Sequence, residues 1–406
     1  APPFHVNGYL FNVRQSNKGE LFMAYKDILR NAIRSFDDLE KWLAGQKAKV
    51  DPRLKDVIAR YPMRVNTYYL GLIEKMNDSI WKQAIPDVEE LEHYMDLSED
   101  PLDEEGDIPL GGPRTIVHRY PDRVLLLVSN ECAMYCRFCT RKRKVGDERK
   151  NPSMEDIRKG IQYVASHEDI RDVLISGGDP LLIPNGRLDE ILGKLAEIKR
   201  LGIIRIGTRV PCVWPQKIIE DKEFIEVLRK HTPRSLKDPQ LYINTHFNHP
   251  KEINEKSYQA IKILRDLGIP LGNQTVLLKG VNDDTDVMRD LVHSLGRMGV
   301  KPYYLYYADL VEGTGHFRTA VSKGKEICRD LCGATTGFLR PLYVVDAQGG
   351  RGKVPVDLGY SEGISEDKKG GTFTSPIGLG KVYVNDPIEK IEGKRRREQG
   401  MKKAKI

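Results

Sequence analysis

The sequence predicts an α/β fold, a partial (β/α)6 barrel of TIM type with a helical N-terminal region before it and a C-terminal segment after it. Three observations carry that prediction. Six β-rich runs succeed one another between residues 124 and 310, most of them separated by amphipathic helical patterns. The runs are almost continuously apolar, as strands of a helix-covered parallel sheet are. No glycine-rich nucleotide fingerprint opens the series, which points to a barrel or part of one.

In chain order, residues 20–98 read as helical, with apolar spacing in "LFMAYKDILRNAIRSFDDLEKWL" and "TYYLGLIEKM", and the acidic "SEDPLDEEGDIPLGGP" after them reads as a linker. The six runs are "VLLLVSN" (124–130), "DVLISGG" (172–178), "IIRIGTRV" (203–210), "YINTHFN" (242–248), "LGNQTVLLKG" (271–280) and "YYLYYADL" (303–310). Helical patterns such as "MEDIRKGIQYVASH", "LDEILGKLAEIKR" and "SYQAIKILRDLG" fall between them. The chain thus divides into a helical region and linker (1–115), a barrel core (116–312), a C-terminal segment (313–387) and a basic tail (388–406) that reads as disordered. Residues 389–406 hold eight basic and three acidic residues, so they supply +5 of the formal net charge of +7. The remainder is nearly neutral, and no nucleic-acid surface is expected. No apolar run approaches the length of a membrane span, and the first residues carry no secretory pattern; a soluble, cytoplasmic protein without a membrane partner is expected.

Three of the six cysteines, Cys132, Cys136 and Cys139, fall within "NECAMYCRFCTRKRK", beginning two residues after the first run. Three thiolates leave one coordination position of a zinc site or an iron–sulfur cluster unclaimed, and an open position is where chemistry can happen. The end of a barrel strand is also where active sites are built. Cluster thiols require a reducing compartment, in keeping with the cytoplasm. Cys328 and Cys332, four apart in "KGKEICRDLCGA", read as buried helix core. In "DAQGGRGK" a phosphate-binding P-loop is excluded, because Ala347 stands where that pattern needs Gly and Val354 where it needs a hydroxyl. Gly349, Gly350 and Gly352 suit either a surface loop or the approach to a lysine, Lys353, that has to move.

The CxxxCxxC loop followed by "SGGDP" resembles the radical S-adenosylmethionine superfamily. "HRYPDRVLLL", "CAMYCRFCTR", "RDVLISGGD", "NTHFNHP", "PLGNQ", "HFRT" and "VVDAQGGRGK" then narrow the resemblance to the lysine 2,3-aminomutase family, over about residues 20–387. The resemblance implies an isomerase with three cofactors: a [4Fe–4S] cluster on Cys132, Cys136 and Cys139, S-adenosylmethionine, and pyridoxal 5′-phosphate on Lys353, the catalytic lysine. By the same resemblance Gly177, Gly178, Asp179, His246 and Gln274 contact S-adenosylmethionine, the last two from strand ends. Arg119, Tyr120 and Arg123 hold the pyridoxal phosphate, and Arg141 clamps the substrate carboxylate. Asp309 and Asp346 match the pair that reads a cationic side chain. The implied reaction uses a 5′-deoxyadenosyl radical to move the amino group of a free basic L-amino acid from C2 to C3, with L-lysine first and arginine or ornithine open.

Some positions depart from the family pattern. Phe138 replaces the His common in lysine enzymes, and Tyr307 and Ala308 replace Gln and Cys before Asp309. Asp284 stands where a zinc-binding cysteine is found, and the tail has no cysteine, so no zinc is expected. The partners implied are a small amino acid, an electron donor such as flavodoxin or ferredoxin, and further copies of the chain in a homo-oligomer. Two rival readings remain: a radical enzyme acting on a protein-bound lysine of a translation factor, and a zinc module that binds nucleic acid through the tail. Lys142, Arg143 and Lys144 read as a solvated face.

Overall fold

A computed structural model describes residues 14–15, 21–22, 25–45, 50–359, 361–365, 370–374 and 381–385. The tail read from the sequence at 388–406 lies outside them. The chain forms two units, 1–356 and 357–406.

The first unit opens with a two-residue pairing of β1 (Arg14–Gln15) and β2 (Leu21–Phe22). Short helices follow: α1 (Tyr25–Arg30), α2 (Phe36–Ala44), α3 (Leu54–Arg60), α4 (Thr67–Leu70) and α5 (Ser79–Ala84). Polar caps start several of them. Ser35 and Asp38 form a reciprocal capping box at α2, Asn66 accepts from the Tyr69 N–H, and Asp78 accepts from Ile80 and Trp81.

The barrel is one nine-stranded sheet. Its strands are β3 (Ile116–Tyr120), β4 (Arg123–Ser129), β5 (Asp172–Gly177), β6 (Ile203–Gly207), β7 (Gln240–Thr245), β8 (Leu271–Leu277), β9 (Lys301–Tyr307), β10 (Leu342–Ala347) and β11 (Gly352–Pro355), adjacent in chain order. Neighbours from β4 to β10 are parallel, and β3 and β11 close the two edges antiparallel. The helices between are α6 (Met154–Ser166), α7 (Asn185–Ala196), α8 (Val210–Val213), α9 (Gln216–Glu220), α10 (Lys222–His231), α11 (Glu255–Asp266), α12 (Thr285–Met298) and α13 (Val321–Ala334). The six runs found in the sequence are β4 to β9. The run read as 203–210 ends sooner, at Gly207: Pro211 has no N–H for a ladder, and Thr208 Oγ1 accepts from the Val210 N–H to start α8. Edge strand β3 and the β10–β11 hairpin were not read as strands.

Alternation along the strands explains why this barrel holds a chamber. Val173 and Ile175 of β5 and Ile204 and Ile206 of β6 face outward and are buried, each contributing roughly 1.5–3 kcal/mol on leaving water. Their inward neighbours, Leu174, Ser176, Ile203 and Arg205, are only half-buried and line a cavity. In a closed eight-stranded barrel such positions interdigitate into a packed core. Here the two sheet edges meet through side chains: the Lys353 N–H of β11 donates to Tyr120 Oη of β3 at 2.9 Å, and Arg119 faces Asp346 at 3.4 Å.

In the second unit β12 (Ser361–Ser365), β13 (Gly370–Thr374) and β14 (Lys381–Asn385) form an antiparallel meander. Among the described residues no helix is long and apolar enough to cross a membrane.

Candidate active site

The chamber measures about 900 Å³, and every site residue expected from the sequence lines it. At one end lies the cysteine loop. Burial, with the nearby Asp179, Cys139 and Cys136, pushes the Cys132 thiol well up; burial and Cys136 push Cys139 to about 11. The positive charge of a bound metal centre would offset this burial and favour the thiolates. Among the described residues no three His, Cys, Asp or Glu side chains gather closely enough for a single metal ion. Three thiols from one loop, one short of a full ligand set, suit an iron–sulfur cluster with a position left open.

The glycine turn is built against this loop. A Cβ at Gly177 would lie 2.2 Å from Ser129 O, and one at Gly178 would lie 2.3 Å from Glu131 O. Gly177 has φ +121, so the turn both needs glycine conformation and has no room for a side chain. The Asp179 carboxylate accepts from Leu181 N, Thr208 Oγ1 at 2.7 Å and Arg209 N at 2.8 Å. It pins the β6 loop to the β5 loop, so what this turn presents to the chamber is mainly backbone. His246 Nε2–H donates to Asn248 Oδ1 at 3.1 Å, and burial together with Arg209 lowers its pKa to about 3, which keeps the ring neutral. Gln274, read at a strand end, sits within β8 and donates to Tyr306 Oη at 3.3 Å.

The seam between β3 and β11 forms the other end. Asp346 and Lys353 are directly opposed across the hairpin, and Lys353 Nζ lies 2.8 Å from Asp346 Oδ2. Arg119 is held from outside by Asp107 at 2.7 Å and by the Leu102 carbonyl, and turns Nη1 toward Asp346. The guanidinium of Arg123 covers the Tyr120 ring at 3.8 Å. Gly349, Gly350 and Gly352 all have positive φ. A basic, tyrosine-lined seam with one lysine amine facing the chamber fits a phosphate-bearing carbonyl cofactor. Between the two ends, Thr140 Oγ1 donates to Asp309 at 2.5 Å, and burial, with Asp346 nearby, raises the Asp309 carboxyl to about 6.

Two sequence readings are overturned together. The acidic stretch read as a linker is part of the site wall: Glu104 grips Arg141 through three contacts of 2.7–3.1 Å, while Asp100 pairs with Arg143 at 2.8 Å and Glu105 with Lys144 at 3.1 Å. Nor do Lys142, Arg143 and Lys144 form a solvated face. Lys142 is buried, donating to Glu90 at 2.7 Å and to the carbonyls of Arg137 and Gly313. Complementary charge holds the two stretches on each other. Arg141 also donates to Gly177 O at 3.0 Å, which ties it to the glycine turn.

Sequence reasoning missed Glu104 and Arg209. The latter follows β6 directly, donating to Cys136 Sγ at 2.9 Å, Gln83 Oε1 at 2.7 Å and Glu252 Oε1 at 2.6 Å. Its place at the C-terminal end of a barrel strand was the available signal. Asp284 is the N-cap of α12, accepting from Asp286 and Val287. Cys328 is buried in α13, as read, and Cys332 is partly exposed.

An incomplete parallel barrel with three thiols at the C-terminal end of its first parallel strand defines a radical S-adenosylmethionine enzyme, and the Radical SAM superfamily model matches residues 126–292. Similarity to characterised proteins is closer still. L-lysine 2,3-aminomutase of Methanococcus maripaludis is 49% identical over 342 residues, 83% of this chain and 76% of that protein. The enzyme of the same name from Clostridium subterminale is 45% identical over 342 residues, 84% and 79%. Glutamate 2,3-aminomutase of Clostridioides difficile is 42% identical over 335 residues, 82% and 76%. The chain belongs to the lysine 2,3-aminomutase family, isomerases that use a [4Fe–4S] cluster, S-adenosylmethionine and pyridoxal phosphate.

Proposed function

We propose that this chain moves the amino group of free L-lysine from C2 to C3, giving β-lysine. Overall identity does not separate lysine from glutamate, because relatives of both names fall within a few per cent of each other. One observation carries the choice: Asp346 already binds an alkylammonium, that of Lys353, at 2.8 Å, and Asp309 lies close enough for both groups to shift its proton equilibrium. A cation relieves the repulsion between two carboxylates in one chamber, whereas a glutamate side chain would add a third.

In this reading Cys132, Cys136 and Cys139 hold the cluster, and Gly177, Gly178, Asp179, His246 and Gln274 shape the S-adenosylmethionine site beside it. Lys353 carries pyridoxal phosphate, with Arg119, Tyr120 and Arg123 around its phosphate. The bound groups supply a carbon-centred radical and an electron sink for nitrogen migration. The protein orients and excludes water. Arg141, held in place by Glu104 and Gly177 O, sets a guanidinium charge on the chamber wall for the substrate carboxylate, and the acidic pair Asp309 and Asp346 sets the distance at which the ammonium rests.

We also propose the finer features of the reading: a cytoplasmic homo-oligomer supplied with electrons by a flavodoxin or ferredoxin, and a domain plan of helical region (1–115), radical core (116–312), lysine-bearing segment (313–387) and a tail (388–406) dispensable for turnover. The decisive test is a product screen of anaerobically reconstituted protein with dithionite and S-adenosylmethionine over L-lysine, L-arginine, L-ornithine, L-glutamate and L-tyrosine. Lysine should turn over fastest. Asp309→Asn and Asp346→Asn should each cost roughly 2–5 kcal/mol in kcat/KM with iron content unchanged, Asp309→Asn being the cleaner probe because Asp346 also touches Lys353. Faster turnover of glutamate or tyrosine than of every basic amino acid would refute the assignment of the pair. Conversion of arginine or ornithine above lysine would keep the pair and change the substrate.

A further inference from the structure

We propose that Arg209 sets the reduction potential at the cysteine end of the chamber, by fixing a guanidinium charge on the Cys136 sulfur against an apolar wall. The proposal rests on the reading of the three cysteines as ligands of a [4Fe–4S] cluster. Arg209 is buried, and its fork is fully specified: Nη1 to Cys136 Sγ at 2.9 Å, Nη2 to Gln83 Oε1 and Glu252 Oε1, and Nε to His246 O at 3.2 Å. A lysine has no planar fork to meet these directions at once. Glu252, itself fully buried, compensates the desolvation of the guanidinium, which would otherwise be prohibitive.

The wall makes the charge count. Phe138 lies under the guanidinium at 5.3 Å and joins Leu278, Val281, Ala308 and Phe317 in an apolar cluster against which Cys136 packs. Phe138 and Ala308, two positions where the chain departs from the family pattern, are thus neighbours in one dry patch. The wall covers one side of the partly buried Cys136, so a charge fixed on that side is screened less than it would be in water. Reduction adds negative charge to a cluster, and hydrogen bonds and cations at its sulfurs favour the reduced form. Arg209 therefore raises the potential, which makes the one-electron reduction required before radical formation easier. The competing account is a structural pin, since Arg209 also ties the β6 loop to Gln83 of α5.

Redox titration followed by electron paramagnetic resonance separates the two, run without S-adenosylmethionine on reconstituted wild type, R209Q and R209K. R209Q should bind iron and show a midpoint shifted to more negative potential; R209K, which keeps the charge, should shift by less than half as much. An unchanged R209Q midpoint, or equal shifts in both variants, would overturn the proposal, and so would loss of iron from both, which a pin predicts. If R209Q alone binds no iron, R209K decides: a midpoint near that of the wild type supports charge as the determinant, and a large negative shift refutes it. Absence of iron from the wild type would instead sink the cluster reading beneath it.

Discussion

The two ends of the chamber are built in opposite ways. The cysteine loop is braced on every side by buried polar groups: Asn66 donates to Ala133 O and Arg64 to Cys132 O, while Arg137 and Lys142 converge on Glu90, whose side chain is 0% exposed. The lysine hairpin sits at the sheet edge, turns on three positive-φ glycines, and leaves the Lys353 side chain 30% exposed. Burial on one side and glycine freedom on the other match two demands. On the proposed assignment a redox cluster would have to stay in one geometry, whereas a lysine that hands its cofactor to a substrate amine would have to move aside.

The largest effects should come from breaking each end separately. Cys139→Ala should abolish iron binding and turnover while leaving the visible absorbance of lysine-linked pyridoxal phosphate. Lys353→Ala should remove that absorbance and turnover while iron stays at about four per chain. Iron analysis and a visible spectrum on both variants test whether the ends load independently; loss of both cofactors from either variant would show that they do not.

Next in size is the brace itself. Burial alone would raise the Glu90 carboxyl, but Arg137 and Lys142 outweigh it and hold it at about 2. Glu90→Gln leaves two cations buried without a counter-charge and should cost about 3–5 kcal/mol in urea unfolding. Iron retention should fall with it. A cost near zero would mean that the cysteine loop does not depend on the helical region.

Much of this was legible in the sequence, and the missed charged residues share a cause. The six parallel strands and the three thiols announce themselves through apolar runs and close spacing, which are local signals. Glu104, Glu90 and Lys142 act across tens of residues, and a charged residue reads as solvated until its partner is known. The acidic "linker" and the basic run after Cys139 each looked unremarkable alone; together they form the ion-pair layer behind Arg141. The edge strands were missed for another reason. Their polar residues, Arg119, Tyr120, Asp346 and Lys353, serve the seam, and so they lack the apolar continuity of a covered strand.

Between the two ends, Asp309 should give the chamber a pH signature. Its pKa is about 6 in the fold, raised by burial and by Asp346, against the ordinary 3.8. Because the folded value is the higher, the fold binds this proton more tightly than the unfolded chain does. The associated stability is present below about pH 4 and is lost as pH rises through about 6, an effect of about 3 kcal/mol for a shift of this size. Denaturation of cofactor-free protein from pH 4 to 7 should show this slope, and Asp309→Asn should flatten it. Lysine binding should run the opposite way, strengthening as the carboxyl ionises through pH 6. A binding profile flat across that range would remove Asp309 from ammonium recognition.

The smallest effects distinguish glycines within the lysine end. Gly352 has φ +84, and a Cβ there would lie 2.8 Å from Tyr120 Oη, the atom that accepts the Lys353 N–H across the seam. Gly352→Ala therefore strains the backbone and pushes the two sheet edges apart, and should cost about 1–2 kcal/mol. Pyridoxal phosphate affinity, followed by the visible absorbance, should weaken about tenfold, the equivalent of roughly 1.4 kcal/mol. Gly349 has φ +68, yet a Cβ there meets nothing within 4 Å. Gly349→Ala should thus cost only the backbone strain, about 1 kcal/mol, and leave cofactor affinity unchanged. Equal losses of affinity in the two variants would mean that turn flexibility governs the lysine end; a loss confined to Gly352→Ala would place the control at the seam, where Tyr120 holds the Lys353 backbone.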